Sequence, residues 1–222
     1  MRKLLFAAIW CALTAACTSE SYDSGDTSLS YLSAEWADVT TNSDGLVAYA
    51  HTDAGQRLTF SPPYQATWIG QKADTTCRAV LYHGQVSGET TSVKALSPVL
   101  MASVVDRTEE ITAKKDPIGG ARAWISADKR YLNIVLTLKV GRKENAPTQQ
   151  KVGFLCDSVT TLADGTRCCW LTLVHDQNGV PDYYSQEANV SVPAEALHQA
   201  DKVCLRVMTT QGEKLLEVRE TN

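Results

Sequence analysis

Apolar and polar residues alternate with a period of two along most of this chain. In residues 131–140, Leu132, Ile134, Leu136, Leu138 and Val140 fall on one side, and Tyr131, Asn133, Val135, Thr137 and Lys139 on the other. Successive side chains of a strand point to opposite faces, so this spacing predicts a strand buried on one face only. Residues 121–126 precede it as a second strand, joined through the turn Ala127-Asp128-Lys129-Arg130. Residues 152–159 and 167–175 read as another hairpin, with Asp164-Gly165 supplying the positive φ that a tight turn needs. A third pairs residues 203–210 with 214–219 around Gln211-Gly212. Only residues 193–200 predict a short helix, with Pro193 near its first turn. These hairpins predict a β-sandwich over residues 107–222.

The first half is strand-rich but less regular. Residues 46–52 and 57–61 flank Asp53-Ala54-Gly55, a hairpin loop. Residues 77–83 alternate Cys77, Ala79, Leu81 and His83 with Arg78, Val80 and Tyr82, and further strands are predicted at 31–40 and 91–104. Five strands in about seventy residues suit a small OB-type barrel, here residues 31–106. The polar stretch RTEEITAKKDP, residues 107–117, is the predicted linker or domain boundary. The fold class is therefore all-β, a small OB-like barrel followed by a sandwich.

The N-terminus breaks the pattern. Arg2 and Lys3 precede an apolar run over residues 4–16. A helix needs roughly 20 apolar residues to span a bilayer, whereas this length and these flanks suit a secretory signal. Leu13-Thr14-Ala15-Ala16-Cys17 resembles the bacterial lipobox. Residues 1–16 are thus predicted to be removed and Cys17 to carry lipid; the other reading is an ordinary signal peptide that happens to contain a cysteine. Residues 17–30, rich in Ser, Thr, Gly and Asp, read as a flexible tether, or as an acidic sorting or surface-display signal. The expected location is the cell envelope, lipid-anchored, at the outer membrane.

Removal of residues 1–16 takes two cations, so 21 basic residues become 19 against 25 acidic ones, a net charge of −6. With no basic run longer than Lys114-Lys115, nucleic acid is excluded as a partner, because such binding rests on phosphate neutralisation. Five cysteines follow Cys17: Cys77, Cys156, Cys168, Cys169 and Cys204. Cys168 and Cys169 would point to opposite faces of a strand, which spoils a shared metal site. They read as core residues, with a pairing of Cys204 to Cys168 or Cys169 left open. No catalytic constellation emerges. Ser126-Ala127-Asp128-Lys129 matches S-x-x-K but lacks the accompanying K-T-G and S-D-N motifs and falls in a turn. His51, His83, His175 and His198 are scattered, and His175-Asp176 reads as a strand end rather than part of a triad. The expectation is no enzyme and no cofactor or metal.

Several stretches together resemble the NigD-like lipoproteins of anaerobic Gram-negative bacteria. They are the lipobox, the acidic tether, Asp116-Pro117 ahead of a strand with Trp124, Tyr131-Leu132-Asn133-Ile134 opening the next, and His175-Asp176-Gln177-Asn178-Gly179 ending a later one. The resemblance implies an OB-like N-terminal domain and an immunoglobulin-like C-terminal sandwich. It supplies a fold more than a function, and it does not explain the cysteines. Function is then sought in binding. Residues 61–68, SPPYQATW, set Tyr64 and Trp68 in a Pro-stiffened loop, where they either stack on a sugar or close the barrel. Trp124, Trp170, Tyr183 and Tyr184 read as core. The chain is expected to work as a membrane-anchored binding lipoprotein with a protein partner; the alternative is an oligosaccharide-binding accessory of a surface uptake system.

Overall fold

The computed structural model describes residues 32–110, 112–145 and 149–219. The predicted signal peptide, the tether and Cys17 lie outside the described residues.

The fold is all-β, an OB-like half-barrel followed by a sandwich. In the first half β1 (Ser33–Thr41) lies between β2 (Val47–Thr52) and β4 (Thr76–His83). β3 (Arg57–Tyr64) and β5 (Thr90–Thr91) extend the sheet on one side, and β6 (Val93–Pro98) extends it on the other. The sheet curls so that β3 approaches β6. Its interior holds Val39, Val47, Ala50, Leu58, Phe60, Ala79 and Leu81, closed by Ala66 and Ile69. Alternation therefore turns Trp36, Asp38, Arg78, Val80 and Tyr82 to the outside of the barrel.

The second half packs two sheets face to face. One runs β7 (Leu100–Met101), β13 (Tyr184–Pro193), β10 (Tyr131–Val140), β9 (Gly120–Ile125). The other runs β15 (Gly212–Arg219), β14 (Lys202–Thr209), β12 (Arg167–Asp176), β11 (Lys151–Thr161), β8 (Val104–Asp106). The three predicted hairpins all form, with Gly165 and Gly212 at φ 84° and 107° in two of the turns. Between the sheets lie Leu132, Ile134, Leu136, Phe154, Cys169, Leu171, Val190, Val192, Val203 and Leu205.

Five expectations are corrected. Residues 91–104 are not one strand; they break into β5 through β8. The chain leaves the barrel sheet after Pro98, because Leu100 and Met101 pair in parallel with Val190 and Ser191, and residues 104–106 pair with 154–156. The passage between halves thus falls at the buried Val99, not at residues 106–107. Residues 107–117 are not a free linker either. Asp116 N donates to His175 O, His175 N donates to Lys114 O, and Ile118 is fully buried in the sandwich core. The helix expected over 193–200 is a single 3-10 turn, Ala194–Leu197. Finally, β10 is buried on both faces over 132–136 rather than one, because the barrel covers its outer side.

Candidate functional site

That covered surface holds an extended polar network. Asp38 and Arg78 are direct cross-strand neighbours on the outside of the barrel. Facing them on the outer side of the four-stranded sheet are Asn133, Ser191 and Tyr131. The Arg78 side chain is 1% exposed, and its Nη2 lies 2.6 Å from the Asp53 carboxylate. The same nitrogen donates to Asn133 Oδ1 at 3.1 Å, Nε donates to Ser191 Oγ at 3.3 Å, and Nη1 reaches Asp38 Oδ1 at 3.4 Å. Ser191 Oγ donates to Asn133 Oδ1 at 2.8 Å, and Asn133 Nδ2 donates to Asp53 at 2.6 Å. The guanidinium also lies over the Tyr131 ring, 4.1 Å from its centroid. A buried cation costs several kcal/mol of desolvation unless its donors are met, and here each guanidinium nitrogen has a partner.

The 127–130 turn extends the junction. Arg130 pairs with Asp38 and, through Nε at 2.7 Å, with Asp128, whose carboxylate accepts from Ser126 Oγ at 2.6 Å. Burial works against the charged form of Asp128, but the donors Ser126 and Arg130 outweigh it and hold the carboxyl below its usual value. Asp53 goes the other way: burial outweighs Arg78 and Asn133 and pushes its carboxyl up. These titratable groups face one another and join the two halves.

Beside this network the Trp36 and Trp124 rings meet edge to face, 5.2 Å apart at 85°. Two cavities flank them and share Asp53, Ala54 and Trp124. One of about 500 Å³ also has Ser126 and Lys129 in its wall, and one of about 300 Å³ has Glu35, Trp36 and Gln56. The convergent aromatics are therefore Trp36 and Trp124. Tyr64 packs against the barrel core, Trp68 is 39% exposed, and neither lines these cavities. Three other aromatics expected in the core lie outside it. Trp170 sits on the outer face of the five-stranded sheet under Arg206, with its indole N–H on Thr160 Oγ, and Tyr183 and Tyr184 are exposed. Reading the sequence located neither the junction nor its Trp pair. The one available signal was Arg78, a cation in the middle of an otherwise apolar strand.

Ser126 and His175 both make hydrogen bonds within the fold. Ser126 Oγ donates to Asp128 and accepts from Tyr131 N, which fixes the turn. His175 has Nδ1 at 2.9 Å from Asp116 O and Nε2 at 2.7 Å from Gln150 Oε1. The cysteines divide as alternation requires. Cys156 and Cys169 point into the sandwich with sulfurs 3.8 Å apart, and Cys168 meets Cys204 at 3.1 Å on the other side of the sheet. Of the two pairings left open for Cys204, the structure brings Cys168 to it, with all five thiols free. Burial pushes the Cys168 and Cys169 thiols up to about 12. At pH 8 such a thiol is roughly one part in 10⁴ thiolate, the species that alkylates. Iodoacetamide on the folded protein is thus expected to label Cys77, which is only partly buried, ahead of the other four; peptide mapping by mass spectrometry checks this.

Asp157 anchors a second polar group outside the five-stranded sheet. It accepts from Thr172 Oγ1 at 2.6 Å, Arg107 at 2.5 Å and Arg206 at 3.0 Å. Burial raises its pKa, but these donors outweigh burial and leave it lowered. A carboxyl with a depressed folded pKa contributes stability above its unfolded value of about 3.9, and loses it as pH falls through the folded value. Asp157→Asn is expected to flatten the acid limb of thermal stability; melting scans from about pH 2 to 7 read this directly.

No family model matches the chain, and no curated protein matches its sequence. Solved structures do match in shape. A NigD-like immunity protein of Bacteroides caccae aligns over 83% of this chain and 90% of its own, with TM-score 0.59 and 21% identity. The chain has the NigD-like fold. A toxin-related protein of Parabacteroides distasonis shares that fold over 84% of this chain and 91% of its own, with TM-score 0.60 and 17% identity. A Bacteroides fragilis protein described as a lipoprotein covers 86% and 99%, with TM-score 0.61 and 12% identity. At these identities the likeness concerns the NigD-like fold alone. None of the three is described as an enzyme, and among the described residues no helix is long and apolar enough to cross a membrane.

Proposed function

We propose that the chain is a non-enzymatic lipoprotein of the cell envelope, anchored to the outer membrane through lipid on Cys17, and that it works by binding another envelope or extracellular protein. The observation that carries this reading is the edge of the four-stranded sheet. β13 pairs with β10 along its whole length, but on its other side β7 meets only Val190 and Ser191. Among the described residues no strand covers residues 184–189 on that side. Leu100 and Met101 at one end of this edge, and Tyr183 and Tyr184 at the other, are all exposed. Natural proteins blunt open edges with charge, proline or a covering element. An open edge flanked by large apolar side chains suits recognition by strand addition, in which main-chain hydrogen bonds supply affinity and side-chain pockets supply selectivity. Similarity to structures described as immunity and toxin-related proteins agrees with binding rather than catalysis.

The test is affinity capture of the lipidated protein from its own host's membranes, run beside Leu100→Lys and Tyr184→Lys. A stoichiometric partner whose recovery falls at least about tenfold in both variants supports the reading, since interface centres lose about 1.4 kcal/mol or more when disrupted. Recovery indifferent to both substitutions overturns it. One observation favours a second reading, an oligosaccharide ligand: the Trp36 and Trp124 rings border cavities that also offer Glu35, Asp53 and Gln56. Aromatic faces beside carboxylates and amides suit sugar rings and hydroxyls. Glycan binding lost in Trp124→Ala and retained in Tyr184→Lys would establish that alternative.

A further inference from the structure

The open side of the sandwich, away from the junction, brings together three side chains that sequence spacing does not connect. The five-stranded sheet ends on β8, whose last residue, Asp106, is in parallel register with Cys156 of β11. The ladder from β11 to β12 slips between Cys156 and Ser158, a bulge of the kind that re-aims side chains. From the far side comes His198, the residue that ends the 3-10 turn. It and Gln199 both hold φ 55°. Two successive non-glycine residues in the left-handed region cost about 1 kcal/mol or more each, and persist only where the surroundings enforce them. The result places His198 Nε2 3.0 Å from Asp106 Oδ1. One donor atom each from Asp106, Cys156 and His198 all lie within 4.8 Å of one another.

Thiolate, imidazole and carboxylate together form the donor set of a borderline-soft divalent cation, whereas calcium and magnesium take oxygen alone. Zinc bonds of about 2.0–2.3 Å in a tetrahedron set the ligand atoms roughly 3.3–3.8 Å apart, so the cluster needs to close by at most about 1.5 Å. Cys169 Sγ stands 3.8 Å from Cys156 Sγ, the separation of two thiolates on one zinc. The cluster is graded for access: Cys156 is buried, His198 half-buried and Asp106 exposed, so an ion can arrive from solvent and meet the thiol last. We propose that Asp106, Cys156 and His198 form a zinc site that ties the segment after the 3-10 turn to the edge of the five-stranded sheet. Its place on the sandwich is independent of the partner-binding edge, and the proposal stands whether or not that edge binds a protein.

The experiment is metal loading of the full chain in detergent, kept reduced with a phosphine, stripped with chelator and dialysed against Zn²⁺ or Co²⁺. The expected result is one zinc per chain after gel filtration, and for cobalt a thiolate-to-metal charge-transfer absorption. His198→Gln and Asp106→Asn, both on accessible side chains, are expected to weaken zinc at least about tenfold. Cys156→Ser is expected to abolish the cobalt band, and His51→Gln, on the exposed histidine of β2, to change neither readout. Zinc far below one per chain, or equal zinc in His198→Gln and the parent, overturns the proposal and leaves a His198–Asp106 ion pair only. A cobalt band that survives in Cys156→Ser also overturns it, since the sulfur ligand would then be another residue.

Discussion

Arg78→Met is expected to cost about 3–5 kcal/mol of folding stability at neutral pH, read from urea unfolding, the range for breaking a buried ion pair on one side only. The side chain is almost fully enclosed and its partners come from both halves: Asp38 and Asp53 from the barrel, Asn133 and Ser191 from the sandwich. Methionine keeps much of the volume and removes every donor. Asp53 then loses its counter-charge, Asp38 keeps only that of Arg130, and the Asn133 and Ser191 oxygens lose a donor in a region closed to water. The deficit has a predictable pH dependence. Burial already raises the Asp53 carboxyl, and loss of the guanidinium raises it further. A folded pKa above the unfolded one means that the folded state binds more protons, so this group's contribution falls as pH rises through the folded value. The variant should therefore lie furthest below the parent at neutral pH and regain ground on acidification. Arg122→Ala is the contrast: its pair with Glu187 is exposed on both sides, and such pairs contribute about 0–1 kcal/mol. The same substitution at Arg78 should also loosen one half from the other and split a single unfolding transition into two. An Arg78→Met protein within about 1 kcal/mol of the parent at pH 7 would show that the junction tolerates its charges without the guanidinium.

Cys17→Ala is expected to move the protein almost entirely from the membrane fraction to the soluble one. The proposed anchor is hydrophobic burial of acyl chains, at about 0.8 kcal/mol per CH₂. A single chain of myristoyl length already partitions at about 10⁴ M⁻¹, and stable anchoring takes more than one. Losing the proposed attachment point should therefore lower membrane partition at least about 10⁴-fold. Charge does not compensate: the net charge of −6 left after residues 1–16 offers no attraction to anionic lipid. Fractionation of host cells with an antibody to the protein reads the outcome. Retention of the variant on membranes after a high-salt wash would mean that attachment depends on a partner or on another segment, and would remove the lipid from the proposed function.

Strand identity was readable wherever apolar and polar residues alternate, because a pleated strand repeats every two residues regardless of what it packs against. Thus residues 131–140, 152–159 and 203–210 announced themselves, and Asp164-Gly165 and Gln211-Gly212 marked turns that need positive φ. The same alternation put Arg78 and Val80 outside the barrel, and Asn133 and Val135 outside the sandwich. What it withheld was that these outward faces meet. Arg78 and Ser191 touch across 113 positions of sequence, and neither neighbourhood carries any mark of the other. β7 and β8, two and three residues long, escaped because such parallel pairings are too short to show a period. The passage between halves was for that reason read several residues late.

The sequence by itself determined the acidic balance, the all-β class and the position of each hairpin. All of these depend on residues adjacent in the chain, through backbone sterics, local turns and composition. Only the tertiary structure decided which strand faces are wet and which are joined, that Trp36 meets Trp124 where the barrel covers the sandwich, that β13 keeps an open edge, and that Asp106, Cys156 and His198 converge. Each of these depends on where two sheets are set against each other, a placement fixed by the summed burial of many side chains and carried by no single local pattern.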